Sequence, residues 1–230
     1  MGYSHYWARP REIPAPLFDS IRDEFSRLIL PLNDRGVPLA GWDGEAIPEI
    51  TSEVISFNGQ IACGHSENED IVIPYPAPDA HGIGASSTAI VGDYHGLGVL
   101  LKHRCCGGKC CCETFRLERI MIPDSGEEPD NNGLFIRGVK TAFRPYDIAV
   151  TAALIVAKRH LGDLFLVHTN GGESQWSDAK RLCQDILGYG EWFGIVEEAA
   201  EEIIHDSAGT PRVRHYLSRM LIGSATPVVL

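Results

Sequence analysis

Five of the seven cysteines in this 230-residue chain crowd into His103-Arg104-Cys105-Cys106-Gly107-Gly108-Lys109-Cys110-Cys111-Cys112. A thiolate is both a nucleophile and a soft-metal ligand, and structural zinc takes four nitrogen or sulfur ligands in a tetrahedron. The glycine pair lets the backbone turn so that Cys106 and Cys110 face one centre, with Lys109 beside them favouring charged sulfur. Two further ligands are available from Cys105, Cys112 and His103, or from the separate Cys63-Gly64-His65. Adjacent cysteines on a strand point to opposite faces, which limits how many reach one ion. The spacing is not a two-residue knuckle repeated twice. A thiol-rich loop without metal, and a redox pair, therefore stand beside one structural zinc. Four protein ligands would leave no open position for water, so a catalytic metal is not expected.

A second group of chemistry-bearing residues opens the chain. In an extended segment Tyr3, His5 and Trp7 fall on one face, and Arg9 continues it. Three rings with polar edges either complete a core or line a pocket for a planar or anionic ligand. Further along, Lys140-Thr141-Ala142-Phe143-Arg144-Pro145-Tyr146-Asp147 leads into a helix. Pro145 and Asp147 suit a first helical turn, whose N–H groups attract anions, and Lys140, Thr141 and Arg144 add donors. A plain capped helix entry with solvated Lys140 and Arg144 explains the same residues. Asn170, in His168-Thr169-Asn170-Gly171, ends a short strand and is a third ligand candidate or simply a turn. For catalysis the candidates are His5 with Asp147 or Glu113, a histidine–carboxylate pair suited to general acid–base work. No nucleophile elbow, paired-histidine zinc motif or dinucleotide glycine pattern is present.

The elements that would position these residues follow from periodicity. Phe18, Ile21, Phe25, Leu28 and Leu32 recur at helical spacing within 11–34, stopped by Gly36 and Pro38. Strands are expected over 54–59 and 71–73, possible partners in a hairpin across 58–70, and over 113–121. Residues 74–98 read as a long loop with a short strand at 88–91. Tyr146 to His160 is apolar nearly all round and should be a central buried helix. A strand over 164–168 follows, then a helix from a Ser174 cap to Gly188, then an acidic amphipathic helix over 191–206. This order predicts an α+β fold with a mainly antiparallel sheet. It also suggests one domain over 1–190 and a helical extension over 191–230.

A net charge of −11 and no basic run argue against a duplex nucleic acid as partner. A small anionic ligand needs only a few local donors and stays open. No apolar stretch reaches bilayer length, and the start does not read as a signal peptide, so the expected compartment is the cytoplasm.

Gly2-Tyr3-Ser4-His5-Tyr6-Trp7 resembles the Gly-Tyr-Thr-His-Tyr-Trp opening of a family of small, functionally uncharacterised proteins of tailed phages and bacteria. The likeness continues at Phe57-Asn58-Gly59, Glu113-Thr114-Phe115, Lys140-Thr141 and Pro145-Tyr146-Asp147. It runs through Lys158, Leu161, Gly162, Trp176 and Leu182 to Gly188. The cysteine cluster and the segment after about 190 depart from that pattern. The resemblance implies a phage or mobile-element origin, hence the host-cell cytoplasm, and carries no activity. Two functions are expected on these grounds. The first is a module binding a small anionic, nucleotide-like ligand through Tyr3, His5, Trp7, Arg9, Lys140, Thr141, Arg144 and Asn170. The second is a hydrolase or phosphodiesterase using His5. A structural or interaction protein with a zinc-stabilised loop is the third alternative.

Overall fold

The computed structural model describes residues 3–66, 70–72, 103–106, 108–205 and 211–223. The loop expected over 74–98, with its strand at 88–91, lies outside them. Among the described residues, three α-helices and antiparallel sheets of five, four and two strands make up an α+β fold. In the main sheet β1 (Ser4–Arg9) pairs on one side with β8 (Phe135–Lys140) and on the other with β9 (Leu166–Thr169). The sheet continues from β9 into a long hairpin, β10 (Gly194–His205) and β11 (Pro211–Ile222). The smaller sheet centres on β4 (Val54–Gly59). Its partners are β2 (Leu39–Ala40), β3 (Glu49–Ile50) and β7 (Phe115–Glu118). A separate two-stranded ladder joins β5 (Asp70–Val72) to β6 (His103–Cys105).

The helices are α1 (Ala15–Asp34), α2 (Asp147–Leu161) and α3 (Glu173–Leu187). In α1 the five residues at helical spacing are all buried, with Pro14 at the N-cap where no N–H is needed. In α2 Ile148 to Ala157 are buried without interruption, and the helix packs against α1, α3 and β9. Burying each large apolar side chain contributes roughly 1.5–3 kcal/mol, so this helix is the centre of the core. None of the helices among the described residues is long and apolar enough to cross a membrane.

Three local expectations are corrected. Residues 191–206 do not form a helix; most of them are β10. Their paired Glu and Ala residues favour a helix locally, but the register sets Glu197 opposite Arg219, and the two side chains pair at 2.7 Å. Opposite charges across a ladder favour the hairpin. Nor does β4 make a hairpin with β5, since β7 and β6 take those edges. Ser174 is not the cap of α3: Gly172 is, with its N–H bonded to Gln175 Oε1 at 3.0 Å.

Candidate functional site

The ends of β1, β6 and β9 and the two helices α2 and α3 deliver one buried polar cluster. β1 supplies His5, whose Nε2 lies 2.8 Å from Asp147 Oδ1 at the first residue of α2, with neither side chain exposed. Thr141 donates to the same oxygen at 2.6 Å. Arg104, on β6, donates from one terminal nitrogen to Asp147 Oδ2 at 2.9 Å and from the other to Asp178 Oδ2 on α3 at 3.1 Å. Its guanidinium also lies 4.3 Å over the Phe143 ring. Burial alone would push the Asp147 carboxyl up; facing His5, Arg104 and Thr141 outweigh it, so its pKa lies below the ordinary value. Burial likewise works against charge on Arg104, and the two aspartates overcome it and raise its pKa.

This cluster is closed. A carboxylate only accepts, so His5 donates from Nε2 in the tautomer that satisfies both ring nitrogens, while Arg104 Nε and the Tyr3 hydroxyl beside it have no hydrogen-bond partner among the described residues. Its Nδ1 then accepts the Thr169 hydroxyl at 2.9 Å. Thr169 Oγ1 in turn accepts the Gly171 N–H at 2.9 Å and the Trp176 indole N–H at 3.3 Å. The edges of Tyr3 and Trp176 seal the imidazole on two sides. A fully buried ring with both nitrogens bonded has no position from which to exchange a proton with a substrate. The turn before α2 is held just as firmly. Ala142 and Phe143 both take left-handed φ values, 52° and 54°, at about 1–3 kcal/mol of strain each. The Thr141 and Ala142 amides fix that turn by donating to Tyr3 O, each at 3.1 Å.

The second cluster gathers residues that could hold a metal ion. Cys63, His65, Cys106 and Cys110 bring one ligand atom each to a common point, all within 4.8 Å of one another. Cys63 Sγ lies 4.0 Å from Cys106 Sγ, and Cys110 Sγ lies 3.3 Å from His65 Nδ1. Tetrahedral zinc, with bonds of about 2.3 Å to sulfur and about 2.0 Å to nitrogen, would set such pairs about 3.8 and about 3.5 Å apart. The residues fit a metal ion. Gly108, at φ 80°, turns the chain between the two buried cysteines. The Cys110 amide is bonded to Gln60 O at 2.9 Å, and β4 comes so close that a Cβ on Gly59 would sit 1.9 Å from Cys110 O. Burial raises the thiols of Cys106 and Cys110, and neighbouring Cys63 raises them further. At Cys63 the burial effect is outweighed by bonds from the His65 amide and the facing thiols, bringing it down to about 7. A divalent cation would favour all three as thiolates.

No family model, curated protein or solved structure matches this chain. What it can bind is therefore argued from its own geometry. Beside the closed cluster lies a hollow of about 390 Å³, lined by Tyr3, Phe143, Asn170, Gly172, Gln175 and Arg219. Arg219 is partly committed there, to Asn170 O at 2.9 Å and Glu197 at 2.7 Å.

The structure separates several residues that the sequence groups together. Tyr3 and Asn170 reach the hollow, whereas His5 and Thr141 belong to the closed cluster behind it. Trp7 is core, packed against Phe115 at 5.2 Å. Arg9 is buried on main-chain carbonyls, Pro10 O at 2.9 Å and Glu118 O among them. Lys140 is exposed, and Arg144 donates to Lys109 O at 2.6 Å. The first amides of α2 are already bonded, those of Asp147 and Ala149 to Arg144 O and Tyr146 O at 2.9 Å. The anion cradle expected at 140–147 is thus filled by the protein itself. Glu113 is exposed and accepts the Lys140 amide at 2.7 Å, so Asp147 rather than Glu113 partners His5. Among the metal candidates, Cys63 and His65 complete the set with Cys106 and Cys110. Cys112 is instead tied through its amide to Asn58 Oδ1 at 3.1 Å, while the side chains of His103 and Cys105 lie outside the described residues. Arg104 and Asp178 carry much of the buried cluster although neither belongs to a sequence motif for it. For Asp178 a signal existed: it stands four residues before buried Leu182 on the inner face of α3.

Proposed function

We propose that the protein is a non-catalytic binding module whose long insertion is clipped at its base by one structural zinc. The observation that supports this is the convergence of Cys63, His65, Cys106 and Cys110. Three thiolates and one imidazole are a donor set suited to zinc, and a four-ligand site leaves no position for a substrate. The ligands come from the two flanks of residues 66–105, so the metal closes a long loop, where a cross-link removes most chain entropy. The ligand is proposed to be small and anionic, held in the hollow by Arg219 and stacked on Tyr3 or Phe143. A phage-type accessory role in the host cytoplasm rests on the N-terminal resemblance. Hydrolysis by His5 is disfavoured, because its nitrogens are both occupied at zero exposure.

A zinc-selective chelator should lower the melting temperature, and added zinc should restore it. A ligand bound at 1,000 times its Kd stabilises by about 4 kcal/mol. Unchanged melting after verified chelation would count against the clip. For the hollow, the protein is incubated with a nucleotide pool and the bound fraction identified after denaturation. Intact nucleotide supports a binding module, a converted product points to an enzyme, and no retained nucleotide counts against the pocket.

A further inference from the structure

We infer that the metal cluster and the buried charge cluster are one coupled unit joined by Arg104. Metal bound at Cys63, His65, Cys106 and Cys110 then holds the Arg104 guanidinium on Asp147 and Asp178. This deepens the zinc reading and rests on it.

The argument begins with what holds β6 in place. Its three residues pair only with β5 among the described residues, and that ladder is hydrogen-bonded to neither larger sheet. A two-stranded ribbon is marginal on its own. Yet Arg104 on this strand is fully buried and bonded to the first turn of α2 and the second turn of α3. Two residues later the chain reaches Cys106, also fully buried. Two residues span at most about 7 Å, so the tether has no slack. If Cys106 and Cys110 leave their partners, Arg104 loses the anchor that aims it. A second link runs the same way: Arg144, three residues before Asp147, donates to Lys109 O at 2.6 Å. The coupling reaches the hollow as well, because Phe143 lies under the Arg104 guanidinium and forms part of its wall.

Linkage makes the effect reciprocal: if metal favours docked Arg104, then docked Arg104 tightens metal by the same factor. The test is a titration of metal-free protein with Co(II), a spectroscopic stand-in for zinc, followed through thiolate-to-cobalt absorption. Asp178→Asn and Arg104→Met, neither of which touches a ligand atom, should weaken Co(II) by about 5- to 150-fold. Arg104→Lys keeps the charge but lacks the planar fork whose two terminal nitrogens each reach one carboxylate, and should fall between them and the unmodified chain. Affinities within twofold of the unmodified chain would overturn the coupling while leaving the metal site intact. No Co(II) binding by the unmodified chain would overturn both.

A second measurement needs no substitution and uses the unmodified protein alone. Amide exchange is compared with and without zinc. Faster exchange at 147–149 on zinc removal, by at least about tenfold, with α1 unchanged, is the coupled result. Changes confined to 59–66 and 106–111 would contradict it.

Discussion

The two polar clusters of this protein are built on opposite principles. The His5 ring and the Asp147 carboxylate find their hydrogen-bond partners within the chain, down to the Thr169 hydroxyl that gives one hydrogen bond and accepts two. Around Cys63 and Cys106 the donors converge but do little for one another, since thiols are weak hydrogen-bonding groups. The first arrangement is what a folded core requires of buried charge. The second makes sense as a set of ligands. A histidine–carboxylate contact of 2.8 Å is therefore not in itself a sign of catalysis, because what matters is whether an atom remains free to react.

The comparison is broken most severely at Arg104. Replacing it with Met leaves Asp147 and Asp178 buried without their shared cation, which should cost about 3–5 kcal/mol in a urea unfolding curve. A loss below about 1 kcal/mol would mean the cluster is not closed. His5→Ala strands the Thr169 hydroxyl proton and leaves Asp147 Oδ1 with Thr141 alone, for a smaller loss of about 1–3 kcal/mol. If that variant kept its stability but lost a turnover that the unmodified protein shows, the closed cluster would have to be read as an active site.

Acid sharpens the contrast. The Asp147 pKa is held below its ordinary value of 3.8 in the fold, so as pH falls the unfolded chain takes up the proton first. Stability from this group is complete above about pH 4 and drains away as pH drops through the folded-state value. Asp147→Asn should flatten the acid limb of stability against pH, and an unaltered limb would contradict the network. Lys140→Ala should change stability by less than about 0.5 kcal/mol, as expected for an exposed side chain. A weaker ligand affinity in that variant would return the anion site to the helix entry.

Much of this was legible in the sequence where local pattern decides. The α1 stripe, the all-apolar α2 and the Cys106–Cys110 turn needed only spacing and residue type. His5 and Asp147 are of the types that pair, but 142 positions separate them, and the β1–β8 register is what brings Tyr3 and Thr141 together to close the gap. Arg104 was hidden by its neighbours: an arginine among cysteines reads as solvated, and nothing local reveals two aspartates waiting on different helices. The hairpin of β10 and β11 was hidden by composition, because residues 197–202 favour a helix by type, and the Arg219 that faces Glu197 lies 22 positions away.

The most direct test of the account is the metal content of a small panel of variants, purified without chelators and measured by elemental analysis. About one zinc per chain is predicted for the unmodified protein. It should be lost or sharply reduced in Cys63→Ser, His65→Ala, Cys106→Ser and Cys110→Ser, and retained in Cys112→Ser. Zinc well below one equivalent in the unmodified chain, or zinc that survives loss of Cys63 and His65 but not of Cys112, would contradict it.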